Sequence, residues 1–302
     1  MTDQDRRKVE YSNILKRLSA MKIQKVGVVG CGQMGAGITR VAAQAGFETV
    51  VMEINKKQLD RGVKRIEQSL SVSVEKGDIS EAEKEDIRNR IHGVTEYHHL
   101  ADTDLVIEAV IEDLDEKRDV FKDLHFHCEE ETIFASNTSS LTITELASGT
   151  DRKDRFLGLH FFNPVQSMPL VEVVQSLDTS EETREAILAF VESIGKTPII
   201  CKDRSGFVVN RLLVPYLLDA VRALENKLAT IEDMDKAMKL GAGHPMGPFT
   251  LMDYIGLDVI YHVAEIMFEE YKKPKFAAPP LLKQMVNSGY LGKKSGDRKS
   301  VV

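Results

Sequence analysis

Cysteine is scarce in this chain of 302 residues, and the three present, Cys31, Cys128 and Cys201, are scattered. They form no C-x-x-C pair and no disulfide framework, which fits a reducing compartment, so a cytoplasmic protein is expected. Long apolar runs are also missing. No stretch reaches about eighteen apolar residues, so no membrane-spanning helix and no membrane partner is expected. There is no excess of basic charge: 40 Lys and Arg face 47 Asp and Glu, for a net charge of −7. That excludes a general nucleic-acid or membrane-surface binder, and an anionic ligand would need a local basic patch. Metal-ligand spacing is absent. His125-x-His127-Cys128 lies in a helical pattern where i and i+2 face different ways, and His98-His99 lies in a polar loop, so no metal is expected. Residues 1–21 mix Asp3, Asp5 and Glu10 with Arg6, Arg7 and Lys8. They lack the apolar core of a secretory signal and the acid-poor character of a mitochondrial presequence. Ile14, Leu15 and Leu18 form one helical stripe, predicting a short docked helix.

What is present is an ordinary globular composition, 42% apolar and 29% charged, long enough for one large domain or two ordinary ones. The chain is organised around Val26-Gly-Val-Val-Gly30-Cys-Gly32-Gln-Met-Gly35. A short apolar run of buried-strand type leads into G-x-G-x-x-G, and residues 36–46 read as a packed helix start. The glycines serve a tight turn, close approach of the backbone to a pyrophosphate, and tight packing of helix on strand. The helix N-terminus then offers unpaired N–H groups to the anion. Residues 47–52 form a second strand ending at Glu53, 18 residues after Gly35, close to the spacing of a ribose-binding acid. A carboxylate there accepts from ribose hydroxyls and repels a 2′-phosphate, which favours NAD over NADP.

Residues 56–76 form a charged amphipathic helix, and Ser80-Glu-Ala-Glu83 is a capping box opening another. Further strands are predicted over 104–110 and 132–136, with a helix over 114–129 between them. Glu108 and Glu112 flank the C-terminal end of the first of these strands. The second ends in Asn137-Thr-Ser-Ser140, and Thr142-Ile-Thr-Glu145 reads as a second capping box. Strand and helix alternating at this spacing predict a doubly wound, Rossmann-like parallel sheet, with ligands beyond the carboxyl ends of its strands. Ser139 lies there, with a functional and a turn-forming role both open.

Residues 156–162 and 170–174 read as strands joined by a turn containing Asn163-Pro164. In a hairpin centred near Gln166, His160 and Glu172 are each six residues from the centre and therefore opposite one another. Glu172 sits among Leu170, Val171, Val173 and Val174, so its carboxylate needs a partner. A carboxylate on one imidazole nitrogen fixes the tautomer and leaves the other as general base. Removing hydride from a secondary alcohol requires such a base. A further strand is predicted over 197–202, and Asp203-Arg-Ser-Gly206 is a turn at the domain boundary. Beyond it the pattern is helical: 207–224 with Pro215 inside, then 231–240 and 251–271 around a Gly/Pro-rich linker at 241–248. Pro215 should kink its helix. Asn210 either faces the cleft or caps the helix. The apolar character of this part suits a dimer interface.

With these segments in view, the chain resembles the 3-hydroxyacyl-CoA dehydrogenase family from about Lys22 to Lys294. The resemblance is carried by the glycine loop, Ser136-Asn-Thr-Ser-Ser140, Gly158-Leu-His-Phe-Phe-Asn-Pro164, Val171-Glu-Val173, Asp203-Arg-Ser-Gly-Phe-Val-Val-Asn-Arg211 and Pro245-Met-Gly-Pro-Phe249. It implies oxidation of (3S)-3-hydroxyacyl-CoA to 3-oxoacyl-CoA with NAD, and a homodimer built through the helical domain. It also implies an architecture of three parts: a charged extension over 1–21, an NAD-binding Rossmann-like domain over 22–204, and an all-α dimerisation domain over 205–302. His160 is implied as catalytic base with Glu172 orienting it, and Ser139 and Asn210 as hydrogen-bond donors to the reacting oxygen. Gly30, Gly32, Gln33, Met34, Gly35, Glu53, Glu108, Glu112, Lys117 and Asn137 are implied at the cofactor, and Ser69 and Lys76 at the CoA moiety. Two departures stand out. The leader is longer than the family's minimal start, and Ser295-Gly296 runs into Asp-Arg-Lys-Ser-Val-Val302 where the family continues Lys-Gly-Phe-Tyr. Two alternatives remain at this point: a dehydrogenase of free short 3-hydroxy acids with a lysine base, and a non-catalytic relative.

Overall fold

A computed structural model of the chain describes residues 22–296. The helix expected over Ile14, Leu15 and Leu18 and the atypical tail after Gly296 lie outside the described residues. The chain divides into two compact units after Asp203.

The first unit carries strands β1 (Lys25–Val29), β2 (Glu48–Met52), β3 (Ile91–Val94), β4 (Leu105–Glu108), β5 (Ile133–Ser136), β6 (Phe156–Phe161), β7 (Leu170–Gln175) and β8 (Thr197–Lys202). They form one sheet in the order β3-β2-β1-β4-β5-β6-β7-β8. The pairs from β3 to β6 are parallel, β6 and β7 are antiparallel, and β8 runs parallel to β7. The winding reverses between β1 and β4, where the crevice of a doubly wound sheet opens. Every residue of β4, β5 and β6 is buried. Helices cover both faces of such a sheet, so its strands read as near-continuous apolar runs.

The helices of this unit are α1 (Gln33–Gln44), α2 (Lys56–Glu75), α3 (Glu81–Asn89), α4 (Leu114–His127), α5 (Ile143–Ala147) and α6 (Glu181–Ser193). α1 starts inside the glycine motif, with Gly32 as its N-cap, earlier than the expected start at Ala36. α3 has the expected reciprocal capping box of Ser80 and Glu83. The second expected box is corrected. Thr142 stands at the N-cap of α5 but its side chain caps nothing; the hydroxyl donates to Glu145 at 3.2 Å instead. The Asp203 carboxylate takes the two N–H groups of Ile143 and Thr144, at 2.8 and 2.7 Å. A charged acceptor receiving two bonds outcompetes a hydroxyl for these donors. Strand β3 and helix α6 go beyond the elements expected from the sequence. The paired His98 and His99, expected in a loop, lie in a 3₁₀ turn, Tyr97–Leu100.

The second unit is helical among its described residues: α7 (Val209–Glu225), α8 (Ile231–Gly241), α9 (Pro248–Ile255), α10 (Leu257–Tyr271) and α11 (Pro280–Asn287), the last also unforeseen. Its core joins Leu217, Leu218, Phe249, Met252, Met267 and Phe276. α7 runs continuously through Pro215, with Val208 at its N-cap. Asn210 therefore sits in the first helical turn and is not the cap. Among the described residues no helix is long and apolar enough to cross a membrane, and no group of His, Cys, Asp and Glu is arranged to hold a metal ion.

Candidate active site

The parallel register pairs Val29 with Met52, so Gly30 and Glu53 emerge side by side at one edge of the sheet. Gly30 has φ +93°, and a Cβ there would lie 2.7 Å from the Ala109 carbonyl oxygen. A Cβ on Gly35 would lie 1.7 Å from the Gly30 carbonyl oxygen. Both positions therefore require glycine. Gly32 is different: a Cβ there would meet nothing within 4 Å. Open space above Gly32 and an α1 N-terminus without a side-chain cap suit the pyrophosphate of a dinucleotide. Glu53 accepts the Cys31 N–H at 2.8 Å, which holds its carboxylate against this loop. Gln33 donates to the Asn163 side chain at 2.9 Å, and Met34 packs on the core.

Two acids, one ending β4 and one four residues beyond it, organise the next layer. Glu108 accepts from Lys117 Nζ at 2.6 Å, Ser136 Oγ at 2.6 Å and the Val110 N–H at 2.7 Å. The Lys117 and Glu108 side chains are 1% and 0% exposed, so this pair lies beneath the surface that a cofactor would touch. Glu112 reaches Lys117 through its other face, at 3.4 Å. Its Oε1 gathers the 138–140 turn: Thr138 Oγ1 at 2.6 Å, the Ser139 N–H at 2.8 Å, and the hydroxyls of Ser139 and Ser140 at 3.2 and 3.0 Å. Burial pushes the Glu112 carboxyl up, but the Lys117 charge and these donors outweigh it and leave the carboxyl below its ordinary value. Ser139 thus stands in a turn that a buried lysine orients through Glu112. Asn137 ties the ends of β5 and β6 together by accepting the Phe161 N–H at 3.0 Å.

On β6 and β7, His160 pairs with Glu172 in the antiparallel register, as the hairpin reading requires. His160 Nδ1 lies 2.6 Å from Glu172 Oε2, with the two side chains 8% and 0% exposed. A carboxylate can only accept, so Nδ1 carries the proton and Nε2 is the accepting nitrogen of the neutral ring. The Phe162 ring, 4.5 Å away between centroids, packs on the imidazole. The arrangement can remove a hydroxyl proton and return it.

Ser69 on α2 and Lys76 at its C-cap line a cleft of about 780 Å³ that also takes in Arg40, Gln166 and Lys196. The Lys196 ammonium donates to the carbonyls of Val165 and Met168 at 2.6 and 2.8 Å, pinning the connection between β6 and β7. Asn210 belongs to the helical unit and is half-buried. Sequence reasoning passes over Thr138, Ser140, Asp203 and Arg40. Thr138 and Ser140 lie within a motif that carries the family resemblance, and a lone arginine in the apolar run 36–46 is a signal that could have found Arg40.

Residues 25–204 match the NAD-binding domain of 3-hydroxyacyl-CoA dehydrogenase, and residues 206–300 match that family's C-terminal domain. The chain is 47% identical over 276 residues to a 3-hydroxybutyryl-CoA dehydrogenase of Mycobacterium tuberculosis, covering 91% of this chain and 96% of that one. It is 46% identical over 288 residues to the mitochondrial hydroxyacyl-coenzyme A dehydrogenase of Sus scrofa, covering 92% of each. Among solved structures it is similar to the (S)-3-hydroxybutyryl-CoA dehydrogenase of Ralstonia eutropha, with a TM-score of 0.88 at 43% identity over 91% of this chain and 97% of that one. With both of its domains matched in order, the chain belongs to the 3-hydroxyacyl-CoA dehydrogenases, a family of NAD-dependent oxidoreductases.

Proposed function

We propose that this chain interconverts (3S)-3-hydroxyacyl-CoA and 3-oxoacyl-CoA, with the His160–Glu172 pair as its proton-transfer centre. The observation that carries the reading is the 2.6 Å contact between His160 Nδ1 and a fully buried Glu172. In oxidation, His160 Nε2 takes the 3-hydroxyl proton as the C3–H bond breaks. NAD, when bound, supplies the hydride acceptor. Glu172 stabilises the imidazolium, and Ser139 and Asn210 hold the reacting oxygen. In reduction the imidazolium returns the proton to the same oxygen. Gly30, Gly32 and Gly35 give the dinucleotide a close backbone approach, with Glu53 on its adenosine ribose and Gln33, Met34 and Asn137 around it. Glu112 and the Lys117–Glu108 pair support that surface from behind. Ser69 and Lys76 take the CoA moiety. Fatty-acid oxidation and reductive butanoate metabolism both use such a reversible step.

The test is NADH oxidation with acetoacetyl-CoA compared with free acetoacetate. Turnover of the thioester with little or none of the free acid is expected. Equal rates on both would sink the CoA assignment. Homodimerisation through the helical unit belongs to the same reading and is supported by the exposed Leu212, Leu228 and Leu240. Light scattering at the mass of one chain would overturn it.

The role of Glu53 makes a separate prediction. Glu53→Gln keeps an acceptor for the Cys31 N–H and removes the charge that would face a 2′-phosphate. The ratio of kcat/KM for NAD over NADP should fall about tenfold, or about 1.4 kcal/mol. An unchanged ratio would place the source of NAD preference elsewhere.

A further inference from the structure

Arg40 is a cation buried in α1, 5% exposed, and no carboxylate among the described residues lies close enough to form an ion pair with it. Burying a charge is costly unless it is paired or fully hydrogen-bonded. Its guanidinium is spent on two serines one turn apart on α2. Nη1 donates to the hydroxyl of Ser69 and, at 3.0 Å, to its carbonyl, and Nη2 donates to Ser73 Oγ at 2.6 Å. Gln166 Nε2 adds a second donor to Ser69 Oγ at 3.3 Å. Nε is buried without an acceptor.

A hydroxyl has one proton and two lone pairs. At Ser69 both lone pairs are engaged, by Arg40 and Gln166. The Ser73 oxygen is engaged by Arg40. Among the described residues neither hydroxyl finds an acceptor for its own proton. Ser69, Ser73 and Lys76 follow one another at i, i+4 and i+7, so they share a face of α2. The cleft along that face is lined by Arg40, Arg65, Lys76 and Lys196 against one carboxylate, Asp78. This is the local basic patch that a chain of net charge −7 needs in order to hold an anion.

We infer that Arg40 is a positioning residue that turns the Ser69 and Ser73 hydroxyls into a donor-only cradle for a phosphate group of the CoA moiety. The inference rests on the reading of the substrate as an acyl-CoA and adds Arg40 and Ser73 to it. Arg40 acts through the serines and through its field, since most of its donors are already committed. Specificity for the phosphorylated carrier over a bare pantetheine thioester follows from this cradle. The catalytic pair on β6 and β7 is not involved.

The experiment is calorimetric titration of wild type, Arg40→Met and Ser73→Ala with CoA, dephospho-CoA, pantetheine and inorganic phosphate. Expected are a tenfold or greater weakening of CoA in Arg40→Met, a several-fold weakening in Ser73→Ala, and unchanged pantetheine binding in both. Loss confined to CoA identifies the 3′-phosphate as the group held, and equal loss with dephospho-CoA identifies the pyrophosphate. Inorganic phosphate competing with CoA in wild type but not in Arg40→Met supports the same site. Wild-type CoA affinity in both variants overturns the inference, as does an equal loss for pantetheine, which would mark a general structural defect. Ser73→Ala removes one hydroxyl and guards against misfolding of Arg40→Met. Wild-type turnover of acetoacetyl-CoA with no effect of Arg40 would overturn the inference alone. Absence of both turnover and CoA binding in wild type would overturn it together with the substrate reading.

Discussion

Replacing His160 with alanine should lower kcat for acetoacetyl-CoA reduction by about 10²–10⁴, the usual contribution of a positioned acid or base. Affinity for NADH should stay within about twofold, because His160 holds protons and no part of the dinucleotide. The KM for acetoacetyl-CoA should also change little, since a proton in flight exists only in the transition state. Glu172→Gln separates charge from shape. The amide fits the same fully buried site on β7 and still offers an oxygen to Nδ1. It cannot balance an imidazolium, so a loss smaller than that of His160→Ala but still tens-fold is expected. Removing the imidazole also takes a donor away from a fully buried carboxylate, at a cost of about 1–3 kcal/mol in stability. Rates must therefore be referred to folded protein, measured by thermal melting of the same samples. A purified His160→Ala protein with near wild-type kcat would end the assignment of His160 as base.

That pair is legible in the sequence because two simple periodicities locate it. Strand alternation and equal distance from a turn put His160 opposite Glu172, and the register pairs them. The glycine loop and Glu53 are legible for a similar reason, since a parallel register brings the ends of β1 and β2 to one edge. What escapes depends on contacts between residues far apart in the chain. The α5 cap comes from Asp203, 60 residues beyond Ile143, so local capping grammar points to Thr142 instead. β3 is four residues, Ile-His-Gly-Val, at the sheet edge and half exposed. Such a strand carries no apolar run, and its pairing with β2 is its main support. By pattern Lys117 is one more charge in a charged helix, and the family resemblance places it only at the cofactor. Only the fold shows that it is buried 2.6 Å from Glu108.

Lys117→Met should destabilise the first unit by about 3–5 kcal/mol, because it strands a buried charge without its counter-ion. Lys117 lies in the first turns of α4, where a cation opposes the helix dipole, so its position there is explained by Glu108 and not by the helix. Without it, Glu108 keeps the Ser136 hydroxyl and the Val110 N–H, which satisfy lone pairs but do not cancel a full charge. At roughly 2–4 °C per kcal/mol for a unit of this size, Tm should fall by about 10 °C. The double variant Glu108→Met with Lys117→Met should recover most of that loss, as apolar replacement of a buried ion pair often does. The pH dependence discriminates further. In wild type the Glu112 carboxyl lies below its ordinary value. It therefore contributes stability above the unfolded carboxylate pKa that is lost as pH falls through the folded one. In Lys117→Met that charge no longer offsets the burial of Glu112, and only the hydrogen bonds of the 138–140 turn still hold its carboxyl down, so this contribution shrinks. The Tm deficit of the single variant should narrow on going from about pH 7.5 to about pH 4, where the wild type loses that contribution as it passes below the unfolded carboxylate pKa. A deficit of the same size at both values, unrelieved in the double variant, would show that Lys117 matters through packing of its aliphatic stem and not through its charge.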